Sequence, residues 1–116
     1  MLIRLDPASA TPLFDQLAGS IRASIISGRV AAGERLPAAR DLATSLDVNV
    51  HTILRAYQEL RDEGLIELRR GRGAIVASAP RDFGDLTAAI DSVVAEARAS
   101  GVPPAALAAL IREAYQ

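Results

Sequence analysis

The chain has 116 residues, half of them apolar, with two Phe, two Tyr, no Trp and a formal net charge of −1, which excludes a disordered chain and leaves Leu, Ile, Val and Ala to fill the core. It has no cysteine, so disulfides and thiolate metal sites are excluded, and all 13 of its basic residues are arginine, so Schiff-base chemistry on lysine is excluded too. No apolar run approaches the ~20 residues that span a bilayer, and Met1–Asp6 lacks the pattern of a signal peptide, so a cytoplasmic protein without membrane contact is expected.

In chain order, residues 2–5 are a short apolar stretch that predicts a strand. Thr11-Pro12 reads as an N-cap and a first-turn proline, followed by Phe14, Leu17, Ile21 and Ile25 at helical spacing up to Gly28. Ala31–Glu34 is a turn, and Pro37 opens a second helix whose buried side is Leu42, Ala43 and Leu46. Asp47-Val48-Asn49 leaves room only for a tight turn before a third helix with Ile53, Tyr57 and Leu60 inward, ended by Gly64. Leu65–Leu68 and Ala74–Ala77 are strand-like, and Gly71-Arg72-Gly73 can turn a hairpin between them. Ser78–Asp82 reads as a linker. A fourth helix carries Phe83, Leu86, Ile90, Val93, Val94 and Ala97 on one stripe, Gly101 and Pro103-Pro104 mark a corner, and a fifth helix carries Leu107, Leu110, Ile111 and Ala114.

Two segments carry chemistry. Residues 40–60 have the makings of a helix-turn-helix: small Ala43 at the crossing, Leu42, Leu46, Val48 and Ile53 to lock the corner, and Asp47 where a left-handed backbone is wanted. Asn49 can cap the third helix, and Val50, His51 and Thr52 just inside it then face outward, where the front of a recognition helix meets base edges and thymine methyls. The second segment is Leu68-Arg-Arg-Gly-Arg-Gly73, in which glycines flank Arg72 and no acid interrupts three arginines. A tip of this kind suits a minor groove and its flanking phosphates. The competing reading of each segment is structural, two short packed helices and a solvated turn. Their direct succession favours nucleic acid.

The net charge of −1 counts against nucleic acid, but the modest asymmetry between the two parts of the chain suggests different jobs for them. Residues 1–77 hold ten arginines against nine acids, whereas residues 78–116 hold three arginines against five acids.

At these residues the chain resembles the GntR family of bacterial regulators, and its YtrA-like branch. The matching pieces include Pro12-Leu-Phe-Asp-Gln-Leu17, Leu36-Pro37, Arg40-Asp-Leu-Ala43, Val48-Asn49, Arg55-Ala-Tyr-Gln-Glu-Leu60, Glu63-Gly-Leu65 and Arg70-Gly-Arg-Gly73, and Asn49-x-x-Thr52-x-x-Arg55-Ala-Tyr57 points to the branch. The resemblance implies a winged helix that binds a two-fold symmetric operator as a dimer, with repression the usual outcome. By position it assigns DNA contact to Arg40 on the second helix, to Asn49, Thr52 and Arg55 on the recognition helix, and to Arg70, Arg72 and Gly73 at the wing. Ala38 departs from the family's usual serine and removes a helix cap, and Val50-His51 departs from the branch's usual Pro-Asn.

The expected architecture is mainly α with a small β-hairpin. It comprises a winged helix-turn-helix over residues 1–78, then a two-helix dimerisation hairpin over residues 79–116. Two helices cannot hide apolar stripes on both by themselves, so pairing of two hairpins into a four-helix arrangement is expected through Phe83, Leu86, Ile90, Val93, Val94, Ala97, Leu107, Leu110 and Ile111. The alternative is a tail folded back on its own amino-terminal domain. The expected partners are double-stranded operator DNA, a second copy and an unknown small-molecule effector, with no cofactor or metal. Catalysis is not expected from one histidine with no cysteine or lysine, and the acids Asp62-Glu63 read as a solvated face. A winged helix used only for protein contact is the competing function, favoured by the slightly negative net charge.

Overall fold

The computed structural model describes residues 3–77 and 83–116. The chain divides into two compact units, Met1–Arg81 and Asp82–Gln116. The segment read as a linker, and with it the expected boundary between residues 78 and 79, lies outside the described residues.

The first unit contains α1 (Leu13–Ile26), α2 (Ala39–Leu46), α3 (Val50–Asp62), β1 (Ile66–Arg69) and β2 (Gly73–Val76). Helix α3 is its hub and packs against α1, α2 and β1. Its inward stripe, Ile53, Ala56, Tyr57 and Leu60, is buried against Leu17, Ala18 and Ile21 of α1 and Leu42 and Ala43 of α2, in one cluster that also takes in Ile66, Ala74 and Val76 of the hairpin. The 3.6-residue period that predicted these stripes is thus the period that builds the core.

Strands β1 and β2 pair antiparallel, with Ile66 opposite Val76 and Arg69 opposite Gly73. The free edge of β2 is also occupied. Leu36 N–H donates to Ala74 O at 2.8 Å, Gly33 N–H to Val76 O at 2.9 Å and Val76 N–H to Glu34 O at 2.9 Å, with Arg35 bridging Ile75. The run after the Ala31–Glu34 turn therefore joins the wing to the entrance of α2. This pairing is too short to show as an alternating pattern in the sequence.

Four sequence expectations shift. Residues 3–5 form no strand; Ile3 and Leu5 lie against the core, and the backbone of Asp6 is satisfied by a side chain instead. Gln16 accepts from Asp6 N–H at 2.8 Å and donates to Asp6 O at 2.9 Å and Thr11 O at 2.8 Å. With Thr11 held in this clamp, Pro12 rather than Thr11 becomes the N-cap of α1. Helix α2 starts at Ala39 rather than Pro37, because the Pro37 carbonyl accepts the Tyr57 hydroxyl at 2.6 Å. Its N-cap is Ala38, without a side-chain cap bond, as the missing serine implied. Finally, Glu63 is not simply solvated: it holds Arg22 in a two-point ion pair at 2.6 Å, which keeps its carboxyl below the usual range and ties the end of α3 to α1.

The second unit is a helical hairpin of α4 (Gly84–Ala99) and α5 (Pro104–Ala114). Gly101 adopts a left-handed φ of 71° and Val102 N–H closes on Ala97 O at 2.8 Å, while Pro103 caps α5 and Pro104 is its first residue. Among the described residues of this unit only Ala97 is buried; Leu86, Ile90, Val93, Leu110 and Ile111 are exposed, and Phe83, Val94 and Leu107 are half-buried. Among the described residues, no helix is long and apolar enough to cross a membrane.

Burial pushes the Tyr57 phenol up to about 12. The neutral phenol is therefore favoured by folding, and its contribution is complete below the unfolded value near 10 and lost as pH rises toward 12. Tyr57→Phe is expected to cost about 1 kcal/mol at neutral pH, by leaving the Pro37 carbonyl unpaired, and to flatten the alkaline fall in stability. Urea unfolding at neutral and alkaline pH checks both.

Candidate nucleic-acid interface

The corner between α2 and α3 depends on one backbone conformation. Asp47 has φ 55° and ψ 48°, and it is the single non-glycine residue with positive φ among the described residues. Its left-handed turn lets Val48 N–H reach Ala43 O at 3.0 Å and sends the chain directly into α3. Asn49 then caps α3, its side chain accepting from His51 N–H at 2.8 Å. This cap satisfies one of the backbone donors at the helix start and fixes which residues follow it outward.

His51 is exposed, and Val50 and Thr52 are half-buried. Arg40 is exposed on the first turn of α2, and a shallow notch lined by Arg40, Thr44, Asp47 and Val50 brings it together with the start of α3. One turn further along α3, Leu54 is 41% exposed. It is an apolar side chain on the outer face of the helix that the sequence reading passed over. Arg55 does not join the Asn49–Thr52 group. Its guanidinium lies over the Phe14 ring of α1, 3.7 Å from the centroid.

At the hairpin, Arg69 is neutralised by Glu67, with Nη2 at 2.6 Å from Oε2. Arg70 and Arg72 have no ion-pair or side-chain hydrogen-bond partner among the described residues, and both are exposed. Arg72 N–H donates to Arg69 O at 3.0 Å, and the turn uses left-handed φ values of 79° at Gly71 and 77° at Gly73. A Cβ at Gly73 would sit 3.7 Å from the Arg35 guanidinium, so a further arginine lies beside the wing. Sequence reading missed Arg35 because its place beside the wing comes from the edge pairing with β2. The chemistry available at these positions is hydrogen bonding and charge toward a polyanion: one capped helix front and unneutralised guanidinium groups.

Residues 13–76 match the sequence model of the family described as bacterial regulatory proteins, gntR family. The chain belongs to the GntR family. This places it among DNA-binding transcription regulators of winged helix-turn-helix type, not among enzymes. The HTH-type transcriptional repressor YtrA of Bacillus subtilis is 38% identical over 76 residues, covering 66% of this chain and 58% of its own. The HTH-type transcriptional regulator Rv1152 of Mycobacterium tuberculosis is 35% identical over 100 residues, covering 86% and 83%. The chain thus spans little more than half the Bacillus relative's length. Among solved structures, YtrA from Sulfolobus acidocaldarius, a GntR-family transcription factor, is similar with a TM-score of 0.64 and 30% identity over 97% of this chain and 96% of that one. These likenesses agree with the YtrA-like branch expected from the Asn49–Tyr57 run. The DNA-binding domain of AraR in complex with operator ORX1 is similar with a TM-score of 0.58 and 27% identity over 65% of this chain and 93% of that one.

Asn49→Ala removes the α3 cap and is expected to lower stability by about 1 kcal/mol, a fall of roughly 4–8 °C in melting midpoint, while Asn49→Asp keeps most of it. Thermal unfolding followed by circular dichroism checks this.

Proposed function

We propose that this GntR-family chain is a homodimeric repressor that binds a two-fold symmetric operator, with the front of α3 in the major groove and the β1–β2 wing at the minor groove. The observation that carries this reading is the state of its arginines. Arg40, Arg70 and Arg72 have no acidic partner within ion-pair distance among the described residues, whereas Arg22, Arg61 and Arg69 are each neutralised by a carboxylate. Guanidinium groups left without a carboxylate are the ones able to displace counterions from a duplex. In this reading Asn49, Val50, His51 and Thr52 lie at base edges, Arg40 and Arg55 hold the backbone, and Arg72, between Gly71 and Gly73, enters the minor groove with Arg70 on a flanking phosphate. The AraR complex lends support, since a similar domain is seen there with operator DNA.

A second copy supplies the other half-site. A single recognition helix spans only a few base pairs, and two-fold pairing doubles the sequence read. The unpartnered side chains of Leu86, Ile90, Val93, Leu110 and Ile111 support pairing through α4 and α5, with Phe83, Val94 and Leu107 at the margins of the contact. An apolar groove between these helices, lined by Val93, Ala97, Val102, Leu107 and Leu110, suits an apolar partner helix.

Arg72→Ala is expected to weaken duplex binding and to lower the slope of log K against log salt by about one, whereas His51→Ala changes sequence preference more than slope. Fluorescence anisotropy at several salt concentrations decides, on the duplex that the wild-type chain selects from a random-sequence pool. Failure to select any sequence contradicts the proposal. Leu86→Asp and Ile90→Asp are expected to give monomers by light scattering with operator affinity sharply reduced; a monomeric wild type at micromolar concentration contradicts the pairing.

A further inference from the structure

The run Pro12–Leu17 is prominent in the sequence, yet the reading above gives it no part in DNA binding. Two of its side chains have definite work in the structure. Gln16 clamps residues 6–11 against the start of α1 through three hydrogen bonds, which fixes the backbone on which Phe14 is mounted. Phe14 is half-buried, and its outer face carries the Arg55 guanidinium at 3.7 Å. A guanidinium at this distance from a ring centroid is stacked on it, held by the ring's quadrupole and by contact.

Stacking uses the flat face of the guanidinium and leaves its N–H edge unused. Arg55 is exposed, and it has no ion-pair or hydrogen-bonding side-chain partner among the described residues. The nearby carboxylates are engaged elsewhere or kept apart: Glu63 is held by Arg22, and neither Asp15 nor Glu59 lies within ion-pair distance of Arg55. An arginine side chain free in solvent loses much rotamer freedom when it meets a phosphate. One already laid flat on an aromatic ring, on a clamped helix start, has lost most of that freedom beforehand.

We infer that Phe14 is a positioning residue for DNA binding: it holds the Arg55 guanidinium on α1 with its N–H edge outward, preset for a backbone phosphate of the duplex that α3 enters. The inference rests on the proposed DNA contact of Arg55, and adds that its strength is set from a different helix.

The test is a double-mutant cycle on the full chain, with binding read by anisotropy on the duplex that the wild type selects from a random pool. Phe14→Leu keeps an apolar side chain and removes the ring. It is expected to weaken binding roughly twofold to fivefold, the scale of one exposed stacked cation, and to lower the salt slope toward that of Arg55→Ala. Phe14→Tyr, which keeps the ring, is expected to bind as the wild type does. In an Arg55→Ala background, Phe14→Leu is expected to change affinity no further. A merely structural loss would instead reduce affinity equally in both backgrounds and leave the number of released ions unchanged, and that result overturns the inference. So does a Phe14→Leu protein that binds as wild type while Arg55→Ala is weakened. Wild-type binding by Arg55→Ala itself would remove the phosphate contact on which the inference stands and overturn it together with that part of the functional reading.

Discussion

The outward face of α3 is decided by what its inward face buries. Ile53, Ala56, Tyr57 and Leu60 are almost wholly excluded from solvent, and each large side chain among them contributes roughly 1.5–3 kcal/mol by leaving water. A rotation of α3 by one residue, about 100°, would bring Leu54, Gln58 and Arg61 to the core and put Ile53 and Leu60 outside. Burying an amide and a guanidinium without partners makes that register strongly unfavourable. The bond from Tyr57 Oη to Pro37 O pins the same register from a second direction. His51, Leu54 and Arg55 therefore face outward by exclusion: the core fixes which residues of α3 are left to solvent.

This constraint extends to the wing. Residues 33–36 hydrogen-bond to β2 on one side and lead through Pro37 into α2 on the other. The hairpin is thus fastened to the entrance of the helix-turn-helix, and Arg35 is carried to the side of Gly73. The formal charge of −1 is unevenly spread, since residues 1–77 hold ten arginines against nine acids. Carboxylates pair with Arg22, Arg61 and Arg69, while Arg40, Arg55, Arg70 and Arg72 are among the arginines with no carboxylate within ion-pair distance among the described residues.

What was legible in the sequence follows from range. Helices α1 to α5 were readable because their apolar residues recur at a helical period, and the left-handed Asp47 and the Asn49 cap were readable because each serves its immediate neighbours. The hairpin was readable from glycines at the turn. Interactions between residues far apart in sequence were not. Tyr57 with Pro37, Arg22 with Glu63 and Arg55 with Phe14 join segments 20 to 41 positions apart, and no local pattern announces them. Residues 3–5 illustrate the opposite error: an apolar stretch suggests a strand, but strands need backbone partners, and at the neighbouring Asp6 the backbone bonds go to the Gln16 side chain. The candidate DNA-contacting residues were identifiable by type and spacing, and all but the half-buried Val50 and Thr52 are exposed. Arg35 was missed because its location is a consequence of sheet pairing.

The central claim is that the front of α3, Arg40 and the hairpin tip act together on one duplex. Titration of isotope-labelled protein with its selected duplex, followed by amide chemical shifts, tests it most directly. The account predicts that the largest shifts fall on Arg40, on Asn49 to Arg55 and on Arg70 to Gly73 at the same DNA equivalence. Shifts confined to α4 and α5, or absent from the hairpin while α3 responds, would contradict it.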